Sequence, residues 1–362
     1  MLQLSPRLIL ALVVGLAALP FLDQAFHIDD RIYLEIADNI LINPMFPYDY
    51  TPIFEGLVTS DAASFGHLPL TSYYLALIKL LTQSNSEWIY HLSFLLFPLL
   101  AAVGFYDLLE RKSKFPLAGA CLLVFSPAFL VLSHTLMADV PLLAFWLLSL
   151  SRFLRIVEGQ ADTSDWIVGG ISVLAAAFLS LISVGLILLM GAYLFMRLRE
   201  FSKLGKVPPA IIPIFGLLVL PVLLWILWYV RAYLYYDRLV LIETFLHMSK
   251  RAAFSWELLG VKTLSFVLNV GASLVFPLAL WLAFAKGIGL RILALIFLFS
   301  AVPFYIWFTD WPLKSVLLFS LFLSSGLALF WVVISRSRLE LRWWLNKHAQ
   351  VGATGSSWER VD

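Results

Sequence analysis

Residues 166–196 read WIVGGISVLAAAFLSLISVGLILLMGAYLFM, thirty-one positions with no charged side chain. A helix that crosses a bilayer uses ~20 mostly apolar residues, so this run is too long for one ordinary span. Ser180 to Gly185 supplies a natural turn, and the run reads as two short, tilted helices joined at Leu181–Ser183. Working outward, apolar runs of spanning length cover 6–26, 88–109, 115–134 and 140–157 before it. Others cover 207–230, 261–285, 290–308 and 311–334 after it. The sum is about ten spans. The stretch 68–82 is apolar but short and carries Lys79, which suits an interfacial or re-entrant helix better than a crossing one.

Composition agrees with that map. The chain is 61% hydrophobic and 13% charged, with a mean hydropathy of +0.91; soluble domains carry roughly 45–50% apolar and about 25% charged residues. Lipid must therefore be part of the solvent. The formal net charge of +2, with no basic aromatic patch, argues against nucleic acid as a partner. The single cysteine, Cys121, lies in an apolar run and leaves no internal disulfide and no CxxC site. The first 26 residues look like a signal peptide but have no small-x-small cleavage site before His27, and are expected to remain as an uncleaved first span.

Lys and Arg concentrate in cytoplasmic loops. With the N-terminus inside and 68–82 not crossing, the inner segments are Glu110–Lys114, Ser151–Asp165, Arg197–Lys206, Lys286–Arg291 and Arg336–Lys347. Each carries two to four basic residues. The first outer loop from 27 to 66 carries only Arg31 against seven acids. Counting 68–82 as a span would put the basic clusters outside. The expected fold is therefore all-α, a polytopic transmembrane helix bundle with both termini cytoplasmic. Residues 1–335 form one transmembrane domain. Its first outer loop, 27–87, contains interfacial helices, and another outer loop covers 231–260. A short cytoplasmic tail follows at 336–362.

Three segments carry candidate chemistry. His27-Ile28-Asp29-Asp30-Arg31-Ile32-Tyr33 puts two adjacent carboxylates at the membrane face, where ionisable groups tend to mark function; the bland alternative is a solvated acidic helix end. Gly66-His67-Leu68-Pro69-Leu70-Thr71-Ser72-Tyr73-Tyr74 places His67 and a Tyr pair in the headgroup layer, as an ordinary aromatic belt would also do. Met137-Ala138-Asp139-Val140-Pro141 falls in the short outer turn before the next span, on the same side as Asp29 and Asp30. An Asp capping a helix with Pro near its start explains that equally well.

Together these features resemble the GT-C glycosyltransferases of the protein O-mannosyltransferase and lipid A aminoarabinose transferase type. The matching residues are the Asp29/Asp30 pair after helix one, the HLPL stretch His67–Leu70 where relatives carry an HPPL-like segment, and Asp139 followed by Pro141. The likeness covers roughly residues 6–200. It implies a polyprenyl-phosphate-linked sugar donor, an acceptor hydroxyl entering from the extracytoplasmic side, and a carboxylate of the Asp29/Asp30 pair as general base. The sugar, a hexose or pentose, transfers with inversion while outer cations hold the leaving phosphate. Arg31, Lys79, Arg231, Arg238, Lys250 and Arg251 are available for that role, although solvated loop charge accounts for each singly. Tyr33 joins the acid pair, and Tyr233, Tyr235, Tyr236 and His247 line the acceptor entrance.

Two departures from the relatives stand out. Many carry a lysine in the turn after the fifth helix, in a pattern like LTKYxG; here Leu179–Gly185 has no cation. Relatives also commonly continue through further helices, so the chain reads as a short member. No resident cofactor or metal is expected, since His67, His91, His134 and His247 fit no ligand spacing, although a divalent cation near Asp29, Asp30 and Asp139 is conceivable from the family. The expected partners are the lipid-linked donor, an acceptor lipid, polysaccharide or protein, and the bilayer. The uncharged spans suit a bacterial inner membrane. The competing readings are a transporter or lipid flippase, which would place ionisable groups near mid-bilayer, and a catalytically silent relative that keeps the fold.

Overall fold

The computed structural model describes residues 4–54, 57–58, 68–111, 113, 115–203, 211–237 and 239–242. The expected spans at 261–285, 290–308 and 311–334, the tail at 336–362, and His67, Arg238, His247, Lys250 and Arg251 lie outside these residues.

Eleven α-helices form the described part. α1 (Pro6–Ala18) starts at a proline in the first turn, with the Ser5 hydroxyl accepting the Leu8 N–H. α2 (Asp30–Ile42) does not cross the membrane: it buries Tyr33, Ile36, Ala37 and Ile40, one stripe at helical spacing, and packs on α3 (Leu70–Thr82). α3 spans only about 20 Å at 1.5 Å per residue, in keeping with the interfacial reading of 68–82. Between them a two-residue antiparallel ladder, β1 (Ile53–Phe54) with β2 (Leu57–Val58), adds a small strand pair to an otherwise helical fold.

The next spans are segmented by proline. α4 (Glu87–Phe94) and α5 (Leu96–Glu110) run on as one apolar rod. The expected span at 115–134 is instead two short helices, α6 (Pro116–Val124) and α7 (Pro127–Ser133), because Pro127 has no N–H to continue the ladder. α8 (Asp139–Val157) is the hub, with sixteen of its nineteen residues buried. It packs on α5 and on α9 (Thr163–Leu179). Gly104 permits the first contact: a Cβ there would lie 3.0 Å from both the Leu147 Cβ and the Leu148 amide nitrogen.

The long uncharged run divides where its sequence indicated. α9 ends before Ser180, a short 3₁₀ turn covers Leu181–Ser183, and α10 (Val184–Lys203) follows. The Ser183 hydroxyl donates to the Ala176 carbonyl at 2.6 Å and receives the Trp146 indole N–H at 3.1 Å. α11 (Ile211–Tyr236) runs six residues past the expected end of its span. Arg231 and Tyr233–Tyr236 therefore sit on its last turns and not in a loop. Among the described residues four helices are long and apolar enough to cross a membrane: Glu87–Glu110, Asp139–Val157, Leu181–Arg199 and Ile212–Tyr236. The chain is an integral membrane protein.

The end of the bundle where α1 begins and α8 finishes is tied by ion pairs. Asp107 on α5 accepts from Arg7 at 3.1 Å and from Arg152 at 2.6 Å. Asp165, in the first turn of α9, accepts from Arg152 at 3.2 Å and Arg155 at 2.8 Å. Arg111 bonds Glu158, which also receives the Tyr193 hydroxyl. Asp162 and Asp165 form a reciprocal capping box that starts α9.

Candidate active site

The three predicted aspartates lie at the opposite end of the bundle, where two loops meet. Asp29 sits at the N-cap position of α2 and Asp30 is its first residue, a place where the helix dipole favours negative charge. Asp30 is fully buried. Its Oδ2 accepts the His27 N–H at 2.9 Å, and its Oδ1 accepts the Leu136 N–H at 2.8 Å, from 106 residues along the chain. Asp30 thus joins the entrance of α2 to the turn before α8. Asp29 is 4% exposed, with one carboxylate oxygen 3.8 Å from the His27 imidazole Nδ1.

Asp139 is the first residue of α8, with Ala138 at the cap and no side-chain capping bond. The expected capping role is therefore not what holds it in this turn. It is 8% exposed. Tyr33, 3% exposed, stands one helical turn along α2 from the acid pair. Burial raises its pKa well above the usual phenol value, and the charges of Asp139, Asp29 and Asp30 raise it further. One phenol thus feels all three acids and stays protonated.

From Tyr33 an aromatic wall runs towards α11. Tyr48, buried in the loop after α2, lies close enough to Tyr229, Tyr33, Tyr236 and Tyr73 for each to push its phenol up, beyond the larger effect of burial. The Tyr48 ring meets Trp228 edge-on at 6.2 Å. Beside them Phe46 stacks on Tyr235 at 3.6 Å, and the Tyr235 hydroxyl donates to Asp49 at 2.9 Å. The Arg231 guanidinium lies 4.8 Å above the Phe46 ring and 5.6 Å from Trp228. These side chains, with Met45, Pro47 and Ala232, border a pocket of about 220 Å³.

The predicted cations differ in what they touch. Arg31 pairs with Glu35 at 2.8 Å, and Lys79 pairs with Asp38. Arg231 has a buried Nη2 with no hydrogen-bond partner among the described residues. The turn at Leu181–Ser183, where relatives carry a lysine, holds no cation and spends the Ser183 hydroxyl on its own fold. Among the described residues no three acid, histidine or cysteine side chains lie close enough to hold a metal ion. Sequence reasoning did not single out Tyr48, Phe46 or Trp228. The aromatic and proline run from Asn43 to Pro52 was the available signal for the first two.

Comparison with known proteins meets this geometry. Residues 66–225 match the family model of dolichyl-phosphate-mannose-protein mannosyltransferase. Among solved structures the chain is similar to ArnT from Cupriavidus metallidurans, determined bound to undecaprenyl phosphate. That match has a TM-score of 0.59 and 17% sequence identity, and covers 97% of this chain. The chain spans 63% of the length of that ArnT chain. No curated protein matches it. The fold is that of the GT-C glycosyltransferases. Residues 66–225, which include Asp139, α8 and the uncharged run, carry the sequence pattern of the mannosyltransferase branch.

Proposed function

We propose that the chain is a membrane glycosyltransferase that moves a hexose or pentose from a polyprenyl-phosphate-linked donor to an acceptor hydroxyl on the extracytoplasmic side. The observation that carries this reading is the gathering of Asp29, Asp30 and Asp139 around the Tyr33 phenol, beside an aromatic pocket that contains Arg231. In this reading Asp29 is the general base. The acceptor oxygen attacks the anomeric carbon, its proton passes to the Asp29 carboxylate, and the bond from carbon to phosphate oxygen breaks. The configuration inverts because attack and departure occur on opposite faces of the sugar. Arg231 holds the phosphate as charge collects on it, the kind of charge-assisted bond that guanidinium makes well. Asp30 positions the site through its two backbone bonds and does not act on the substrate. Tyr33 and Asp139 orient the sugar hydroxyls. His67 and His247 remain candidates for the acceptor entrance, and Arg31 and Lys79 support α2 and α3 through their carboxylate pairs.

The test is release of polyprenyl phosphate from a panel of polyprenyl-phosphate hexoses and pentoses, in vesicles containing the purified chain and an extracted lipid and glycan acceptor pool. Turnover of one donor by the wild type, lost in Asp29→Asn, is the expected result. No turnover of any donor, in vesicles where the donors bind, rejects the transferase reading.

A further inference from the structure

On the side of the bundle away from the Arg231 pocket, α1, α5, α6 and α7 enclose a second space of about 200 Å³. Its walls are Val14, Ala17 and Ala18 of α1, Pro98 of α5, Val124 of α6 and Phe129 of α7. Two alanines on adjacent positions of α1 leave the slot open where larger side chains would close it. One polar group interrupts the hydrocarbon. His134, 8% exposed, lines the slot, and its Nε2 is buried with no hydrogen-bond partner among the described residues. The neighbouring Ser133 hydroxyl is already spent on the Phe129 carbonyl at 2.6 Å. The imidazole is also fixed in place, stacked on Phe21 with ring centres 4.2 Å apart.

A buried ring nitrogen without a partner is costly unless something bonds it. A water molecule is a poor candidate, because a buried water needs two to four polar partners and the slot offers one orphan atom. The surface around the slot is apolar: Leu12, Leu16 and Leu19 of α1, Leu122 of α6, Phe125 and Val131 are all exposed. In a membrane protein such a surface meets lipid tails. An occupant must therefore bring a hydrocarbon chain for the walls and a hydroxyl, ester or phosphate oxygen for the imidazole.

We propose that the slot holds one hydrocarbon chain of a membrane lipid, whose polar head hydrogen-bonds His134 Nε2. The site is distinct from the Arg231 pocket. It lies two residues before Leu136, whose N–H is held by Asp30, and five before Asp139. The bound lipid braces the turn that carries the carboxylate cluster. This inference stands apart from the transferase reading and is read out without any sugar transfer.

The experiment places the whole chain in nanodiscs containing phosphatidylethanolamine with a diazirine in one acyl chain, and maps photo-crosslinks by peptide mass spectrometry. Crosslinks should concentrate on residues 14–21 and 129–134. Ala17→Phe should reduce them about fivefold or more while leaving those on the exposed α11 positions Leu227 and Leu234 unchanged. His134→Phe should weaken retention by about five- to tenfold, the scale of one lost hydrogen bond, and His134→Gln should restore part of it. The two histidine variants keep the test decisive if Ala17→Phe fails to fold. Crosslinks spread evenly over the slot and α11, and indifferent to all three substitutions, would show annular lipid only and overturn the proposal.

Discussion

Asp107, Asp165 and Glu158, at the end of the bundle where α1 begins, each hold an arginine. At the other end, Asp30 accepts from the backbone amides of His27 and Leu136, Asp29 lies beside an imidazole, and Asp29, Asp30 and Asp139 all act on one phenol. Both ends bury carboxylates, and both tie together helices remote in sequence. The difference lies in the donors. A carboxylate clamped by guanidinium has its charge spent on structure. One held by neutral donors keeps its charge for an incoming proton. The first arrangement is a latch and the second a reaction site, and a tally of acidic residues does not separate them.

Substitutions sharpen or break this contrast. The largest effect is expected from Asp29→Asn: donor turnover should fall by about 10²- to 10⁴-fold, the usual contribution of a positioned base, with the thermal unfolding midpoint little changed. Arg152→Met at the latch should do the opposite, lowering stability by about 1.5–3 kcal/mol, the worth of hydrogen bonds to charged groups. The loss stays below that of a stripped buried pair because Arg7 and Arg155 still hold Asp107 and Asp165. Turnover per folded molecule should be unchanged, and a large fall in turnover would mean the two ends are not independent.

Asp30→Asn belongs between these extremes. It turns an acceptor oxygen into an NH₂ group facing a backbone N–H, at a cost of about 1–3 kcal/mol. Thermal inactivation and turnover should decline together as the 136–139 turn moves. The smallest effect concerns alkaline pH. Tyr33 keeps its proton above the usual phenol value of 10.0, whereas in the unfolded chain it ionises there. The folded state then binds more protons, so stability is full below about pH 10 and falls as pH rises beyond it. Tyr33→Phe should flatten that alkaline decline in a thermal-shift series, and an unchanged slope would place the phenol away from the acids.

Much of this architecture was legible because lipid imposes long apolar runs. The uncharged stretch at 166–196 divides at Leu181–Ser183 as its turn residues indicated. Asp29, Asp30 and Asp139 were expected on one face and are brought to one phenol. The bond from Asp30 to Leu136 was not legible, since a backbone amide 106 residues away leaves no trace in residue type. The continuation of α11 to Tyr236 was hidden because Tyr233, Tyr235 and Tyr236 read as an interfacial belt. Their pairing with Phe46, Tyr48 and Asp49 depends on how a proline-rich loop folds back on that helix.

The most direct test of the account is native mass spectrometry of the detergent-purified chain titrated with undecaprenyl phosphate. The account predicts a one-to-one adduct, weakened in Arg231→Gln and retained in Asp29→Asn. Failure to bind undecaprenyl phosphate, under conditions where bulk phospholipid adducts form, would contradict it.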